Sequence, residues 1–430
     1  MTSPPWDAPL ARGPMLADVR VPGSKSMTNR ALVLGALADG RSILRRPLRS
    51  LDTSIMVSAL RALGLRIDDS QDEHWSIDGQ SLATSPAHIE VGNAGTVLRF
   101  VPPIAALANT AISFDGDEAI RRRPIGPLLL ALRGLGVEID DGGRGGLPFA
   151  VHGRGGATGG AVAIDASASS QLISASLLAG ACYERGVSLR HVGERAVPNA
   201  PHVAMTVAML RDRGVSVGVE PDHWSVSPGA IAAVDAAIEP DLSSAAPFLA
   251  GAVVTAGRVR IPDWPVASTQ PGAMLPALLE QFGASTSLDD DGLVVRGGDA
   301  VTGTELDLRN CGELTPVLAA VATVAATPSR LVGIEYLRGH ETNRLAALAR
   351  ELTALGADVR ELDDGLAIFP KPLRGNVFST YDDHRMAMAG AVVGLVVPGL
   401  QIENIDTTAK TLPGFAALWA AAVDGQGATR

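Results

Sequence analysis

One unit recurs six times along the chain, and this repeat limits the fold more than any other feature. An apolar helix of small residues stops at a breaker, and a short β-rich run follows. The breakers and their runs are Gly40 with Ser42-Ile43-Leu44, Thr110 with Ala111-Ile112-Ser113-Phe114, and Gly186 with Val187-Ser188-Leu189. The next three are Gly257 with Val259-Arg260-Ile261, Ser329 with Leu331-Val332-Gly333-Ile334, and Gly399 with Leu400-Gln401-Ile402. Successive breakers are 70, 76, 71, 72 and 70 residues apart, so six units account for the 430 residues. A second marker keeps the same period. Gly64, Gly136, Gly214, Gly283 and Gly356 each end a helix and turn into an alternating strand. An Asp- or Gly-rich turn then leads to a further strand, as at Asp363-Asp364-Gly365 before Leu366-Ala367-Ile368, which is hairpin chemistry. Each unit therefore reads strand, helix, strand, helix, strand, strand.

A repeat of this length is too large for a thin solenoid, and 430 residues exceed one ordinary core. Six βαβαββ units are expected to form two domains of three, dividing near Glu239-Pro240-Asp241, where a proline interrupts. The boundaries expected are 22–239 for one domain and 1–21 plus 240–430 for the other. The sixth copy of the second marker is missing before Arg430, and the extended run Met15 to Val21 is expected to supply the absent strand. The glycine-rich run Gly142 to Gly160 reads as hairpin turns and not as a linker.

Composition narrows the function classes. The chain is 46% hydrophobic and 19% charged, a globular balance. A net charge of −10 argues against bulk nucleic-acid or anionic-membrane binding, though not against a small cationic pocket. Two cysteines, Cys182 and Cys311, give no disulfide framework and no zinc spacing, which suits a reducing cytoplasm. Met1 to Pro14 lacks a signal-peptide profile. The longest apolar run, Ala387 to Leu400, is too short and too rich in glycine and proline to span a bilayer.

The polar residues stand just before the buried helices. They are Lys25-Ser26, Asn93-Ala94-Gly95-Thr96, Ser169-Ser170-Gln171, Ser243-Ser244, Glu313-Leu314-Thr315 and Asp382-Asp383-His384-Arg385. If the repeats are equivalent, these helix N-termini gather at one end of each domain and face a shared cleft. Free N–H groups there favour anions. Caps alone would account for Ser and Asp, but not for Lys25, Arg30, Gln171, His384 and Arg385. In Arg121-Arg122-Arg123-Pro124, either the whole run is a solvated face or Arg123, beside the helix-starting Pro124, points inward. His340-Glu341-Thr342-Asn343-Arg344 is either an acid–base group or a surface ion pair. Three motif matches fail on context. Gly23-Ser24-Lys25-Ser26 lacks the upstream glycine spacing of a phosphate loop. Gly214 to Gly218 has helix and strand in the wrong order for a nucleophile elbow. Asp382-Asp383-His384 is weighed as a metal site and disfavoured, the eight His residues being scattered without zinc-ligand spacing.

Together these motifs resemble the enolpyruvyl transferases, and within them the branch that acts on shikimate 3-phosphate. The matching segments are Pro22-Gly23-Ser24-Lys25-Ser26 with Asn29-Arg30, Asn93-Ala94-Gly95-Thr96 with Arg99, and Arg123-Pro124-Ile125. They continue with Ser169-Ser170-Gln171, Glu341-Thr342 with Arg344-Leu345, Asp383 to Met388, and Thr408-Ala409-Lys410-Thr411. The resemblance implies a two-domain inverse α/β barrel with the active site between the domains. It implies transfer of the enolpyruvyl group of phosphoenolpyruvate to the 5-hydroxyl of shikimate 3-phosphate, with release of phosphate. Phosphoenolpyruvate would be held by Lys25, Gly95, Arg123, Gln171, Arg344, Arg385 and Lys410. Shikimate 3-phosphate would be held by Lys25, Ser26, Arg30, Ser169, Ser170, Gln171, Asn199, Glu313 and His340. Glu313 and Glu341 would be the proton-transfer pair, with Lys25 at the reacting centre. No metal or organic cofactor is implied, and the partners are the two small substrates, with a cytoplasmic monomer expected.

The chain departs from the family's pattern in places. Asn199 stands where Ser is common, His340 where Lys is common, and Glu313 where Asp is more frequent. Asn343 and Gly414 replace acids. The nearest alternative is the branch acting on UDP-N-acetylglucosamine, which typically has Lys-Asn near the start and a reactive Cys before the Arg-Pro step. Here Ser26 follows Lys25, and no Cys lies between Phe114 and Pro124. A non-catalytic anion-binding protein on the same fold is the other alternative.

Overall fold

The computed structural model describes residues 4–79 and 82–425. The chain termini Met1 and Arg430, at which the expected domains begin and end, lie outside the described residues. The chain divides into two compact units, Gly23–Ile238 and the remainder, residues 4–22 with 239–425. Each unit has its own apolar core. One runs from Ala31 to Ile238, the other from Met15 to Ala422.

Each repeat places its first helix inside. The interior helices of the Gly23–Ile238 unit are Lys25–Leu37, Gly95–Ala105 and Ser170–Gly180. Those of the other unit are Leu242–Val254, Thr315–Thr323 and His384–Gly394. Within each unit the three touch one another. They carry almost no charge beyond their first turns, and a helix apolar all round must be surrounded by protein. Gly95–Ala105, Thr315–Thr323 and His384–Gly394 are buried along their full length.

The sheets form the outer layer. Among the described residues there are five four-stranded sheets and one of three strands. A complete repeat is Ala87–Glu90, Ala111–Asp115, Phe149–His152 and Glu138–Asp140, in that spatial order. The first pair is parallel, with Ile89 opposite Phe114, and the rest is antiparallel. Burial alternates along the strands, with one side on the helices and one in solvent. The five marker glycines, Gly64, Gly136, Gly214, Gly283 and Gly356, all have positive φ, between 77° and 118°. They are left-handed helix stops, which an L side chain resists. The glycine-rich run does form turns: Asp141 accepts from the Gly143 and Gly145 N–H groups between Glu138–Asp140 and Phe149–His152.

One expectation fails. The run Met15 to Val21 does not supply the missing last strand. Leu16–Asp18 instead pairs parallel with Arg258–Ile261, as the leading strand of the fourth repeat. The sixth sheet is completed by Trp6–Asp7, antiparallel to Gln401–Ile402. The reason lies in where the chain crosses between units. The first repeat also lacks its own leading strand and borrows Asp235–Ala237, parallel to Arg41–Arg45. Having donated that strand, the chain leaves the first unit, so the fourth repeat has no leading strand of its own. Met15, Ala17 and Val19 alternate inward, and they fill that place.

Candidate active site

In the Gly23–Ile238 unit the interior helices meet at their starts. Ser24 caps Lys25–Leu37, accepting from the Met27 N–H at 3.4 Å. Lys25 is the first helical residue, and its Nζ lies 3.4 Å from Oδ2 of buried Asp52. Asn29 Nδ2 donates to Thr96 Oγ1 at 2.9 Å, joining the first and second interior helices. Arg99 Nη1 donates to Gln171 Oε1 at 2.7 Å, joining the second and third.

Gly95 stands at this junction. A Cβ there would lie 2.9 Å from Arg123 Nη1, 3.1 Å from Arg99 Nη1 and 3.6 Å from Gln171 Oε1. The backbone of the second helix start is thus open to three polar side chains. The basic run resolves accordingly. Arg121 pairs with Asp115 at 2.6 Å and Arg122 with Glu118 at 2.9 Å, both exposed, while Arg123 turns toward Gly95.

Arg30 is 1% exposed and sits inside the helix cluster. It donates to Thr206 Oγ1 at 2.7 Å, Ser26 O at 3.0 Å, His202 O at 3.1 Å and Ser174 Oγ at 3.3 Å. Its guanidinium also lies over the Phe100 ring. It therefore ties together the helices that begin beside Ser26, Ser170 and Asn199. Ser169 caps Ser170–Gly180 through the Gln171 N–H. Asn199 precedes Ala200–Arg211 with φ 50°, ψ 48°, a left-handed conformation that Asn tolerates better than Ser.

The second unit builds a denser charge cluster. Glu341 accepts from Arg344 Nη2 at 2.9 Å and from Lys410 Nζ at 3.2 Å. Arg344 donates to both oxygens of Asp383, at 2.7 and 3.2 Å, and its Nη1 lies 3.3 Å from His340 Nδ1. Asp383 also caps His384–Gly394 through the Arg385 N–H. Arg385 donates to the Ser243 carbonyl at 2.7 Å, and the Ser243 hydroxyl donates to Glu313. These contacts join the starts of all three interior helices of this unit. Burial works against the charge of Arg344, but Asp383 and Glu341, with Glu313 adding, outweigh it and raise its pKa. Burial, helped by Glu313 and Asp307, pushes the Cys311 thiol up to about 12. That thiol stays protonated at neutral pH and is no nucleophile.

Each unit thus gathers the residues marked in its half of the sequence. Glu313, His340, Glu341, Arg344, Arg385 and Lys410 belong to one cluster; Lys25, Gly95, Arg123, Gln171 and Arg30 surround the other helix starts. Asp52 and Asp383 were not among the expected site residues. In sequence Asp383 reads as a cap, as part of a matching motif and as a weighed metal ligand, not as a partner of Arg344, and Asp52 reads only as a first-turn acid after Ser50. Asp382, one of the weighed metal ligands, takes Asn404 at 3.2 Å, while Asp383 is committed to Arg344.

A chain of this kind has relatives. The family model for EPSP synthase, 3-phosphoshikimate 1-carboxyvinyltransferase, matches residues 11–419. The 3-phosphoshikimate 1-carboxyvinyltransferase of Kocuria rhizophila is 50% identical, over 98% of this chain and 97% of the relative. The structure of EPSP synthase from Acinetobacter baumannii superposes with a TM-score of 0.81 at 23% identity, covering 99% of both chains. The enolpyruvyl transferase NikO of Streptomyces tendae gives a TM-score of 0.73 at 18% identity, over 100% of this chain and 98% of that one. These structures share the two-domain inverse α/β-barrel fold.

Proposed function

This chain belongs to the EPSP synthase family, and we propose on that premise how its two charge clusters divide the work of the family's reaction. The reaction moves the enolpyruvyl group of phosphoenolpyruvate to the 5-hydroxyl of shikimate 3-phosphate and releases phosphate. The observation that carries the assignment is Glu341 held between Arg344 and Lys410, with Glu313 reached through Ser243 and Arg385.

Both substrates are polyanions, so joining them needs dense cationic and N–H compensation. In this reading Arg344, Arg385 and Lys410 hold phosphoenolpyruvate from one unit, and Lys25, Gly95, Arg123 and Gln171 hold it from the other. Ser26, Arg30, Ser169, Ser170, Gln171 and Asn199 hold shikimate 3-phosphate, with Lys25, Glu313 and His340. Gly95 contributes by having no side chain, so that anion oxygens can approach Arg123 and the helix start. His340 faces the Arg344 guanidinium with Nδ1 as acceptor, which leaves Nε2–H as a donor toward substrate.

The chemistry is addition followed by elimination. The 5-hydroxyl oxygen bonds to C2 of phosphoenolpyruvate as its methylene carbon takes a proton and the hydroxyl loses one. Elimination then returns a proton from the new methyl group and expels phosphate, restoring the double bond. Glu313 and Glu341 are the carboxylates in this reading that exchange these protons. Lys25, at the head of the first helix, neutralises charge at the reacting centre. The proposed ligands are divided between the two units, so neither unit is competent alone. The enzyme acts as a cytoplasmic monomer on these small molecules.

The test is phosphate release from shikimate 3-phosphate and phosphoenolpyruvate. A folded protein that releases none sinks the reading, and release only with UDP-N-acetylglucosamine transfers it to the related branch. Lys25→Ala is expected to lose turnover by at least ~100-fold while remaining folded, with a lowered melting temperature because buried Asp52 loses its partner. Near-normal turnover removes Lys25 from the site.

A further inference from the structure

His191 ends the strand Val187–His191, beyond every residue assigned above. It is 8% exposed. Its two ring nitrogens reach two different loops. The Ala166 N–H points at Nδ1, 3.2 Å away, the Ile164 carbonyl lies 3.3 Å from the same nitrogen, and Nε2 lies 2.8 Å from the Arg195 carbonyl. A carbonyl can only accept, so Nε2 carries the proton; Nδ1 then has the lone pair that the Ala166 N–H needs. With the proton on Nε2, the Ala166 and Arg195 contacts are satisfied together, and Nδ1, used as acceptor, does not donate to the Ile164 carbonyl.

The two loops are those that lead to the proposed shikimate 3-phosphate ligands. Ala166 lies three residues before Ser169, and its carbonyl accepts from the Ser169 N–H at 3.1 Å. Arg195 lies four residues before Asn199 in the chain. A second tie runs alongside, from the Ser167 hydroxyl to the same Arg195 carbonyl at 3.2 Å. Gly193 closes the cluster, since a Cβ there would collide with Ser167, Asp165 and the His191 ring.

We propose that His191 is a positioning residue for shikimate 3-phosphate, holding the Ser169-Ser170-Gln171 loop at a set distance from the loop that ends at Asn199. It touches no substrate and acts through Ala166 and Arg195. The proposal rests on the assignment of Ser169, Ser170 and Asn199 to that substrate. An imidazole suits the task because it is rigid and presents an acceptor and a donor on opposite edges. A flexible amide can reproduce one of these contacts at a time: Gln carries a donor near the Nε2 position, and Leu carries neither.

The experiment measures initial rates against each substrate for wild type, His191→Leu, His191→Gln, Ser167→Ala and Ser170→Ala. His191→Leu is expected to raise KM for shikimate 3-phosphate about tenfold, the size of one lost buried hydrogen-bond contribution. Its kcat and its KM for phosphoenolpyruvate should stay within about twofold of wild type. His191→Gln should recover part of that KM. Ser167→Ala, at a half-buried position that leaves the core intact, should raise the same KM about twofold to threefold. If His191→Leu does not fold, the comparison of Gln and Ser167→Ala with wild type still decides. Equal rises in both KM values, a fall in kcat alone, or an unchanged KM in the Gln and Ser167→Ala variants overturns the proposal. Failure of the underlying assignment would look different: wild type would turn over, yet Ser170→Ala would leave KM for shikimate 3-phosphate unchanged.

Discussion

Arg344 shows how much one side chain can be asked to do. It heads the helix Arg344–Ala354, binds Asp383 through two hydrogen bonds and binds Glu341 through a third. Its own side chain is 3% exposed. A planar, always-charged fork fits that double carboxylate seat, and an ammonium does not. Arg344→Lys is therefore expected to be far from conservative. Breaking a buried ion network costs about 3–5 kcal/mol when one partner is removed, and Lys retains only part of it. The prediction is a fall in the melting temperature together with a rise of at least ~10-fold in KM for phosphoenolpyruvate. Unchanged values for both would show that the cluster is decoration. At this scale the sequence was informative about residue type and poor about partners. Arg123 could be singled out of Arg121-Arg122-Arg123 by the proline that follows it. Arg122 is taken by Glu118 one helical turn before it, but that Arg121 is taken by Asp115 depends on a strand end and a short helix coming together. Asp52 remained invisible because a first-turn acid after a Ser cap reads as dipole compensation, not as the neighbour of Lys25.

The elements are punctuated by local rules, which is why they could be read in order. The five marker glycines end helices in a left-handed conformation, and the period of the repeat is largely the period of those stops. Gly214, with φ 77°, has open space around the position of a Cβ. Gly214→Ala should therefore cost backbone strain alone, about 1 kcal/mol, and leave the kinetic constants unchanged. Gly229→Ala, also in open space but without positive φ, is the control and should be neutral. A chemical-denaturation series on the two variants checks the difference. The hairpin at Asp141 makes a pH prediction. Burial there disfavours the carboxylate, but the Gly143 and Gly145 N–H groups and Arg133 outweigh it and lower the pKa below the usual Asp value. A lowered folded-state pKa contributes stability that is present above the unfolded Asp value and is lost as pH falls through the folded one. Asp141→Asn should thus lower the melting temperature at neutral pH, and the gap to wild type should shrink as the pH falls below the ordinary Asp range. A gap that is constant with pH would refute it.

The whole molecule is two cores built on one plan, each completing its sheets with strands of its own unit. The Gly23–Ile238 unit is continuous in sequence and closes its own first sheet with Asp235–Ala237. Expressed alone, residues 23–238 are expected to melt cooperatively and to show no turnover with the two substrates. An unfolded fragment would mean that the core from Ala31 to Ile238 is insufficient by itself. The sequence by itself determined the repeat, the helix and strand order, the glycine stops and the polar helix starts. These follow from backbone conformational preference and apolar patterning, which act over a few residues. Which strand completes which sheet was decided only by tertiary structure: Asp235–Ala237 joins the first sheet, Leu16–Asp18 the fourth and Trp6–Asp7 the sixth, each seated by its register with a partner strand. The same holds for the charge clusters. Glu341 and Arg344 are a local pair, but Asp383 lies 39 residues beyond Arg344 and Lys410 lies 69 beyond Glu341, and only tertiary packing brings these charges close enough for each to stabilise the others out of water.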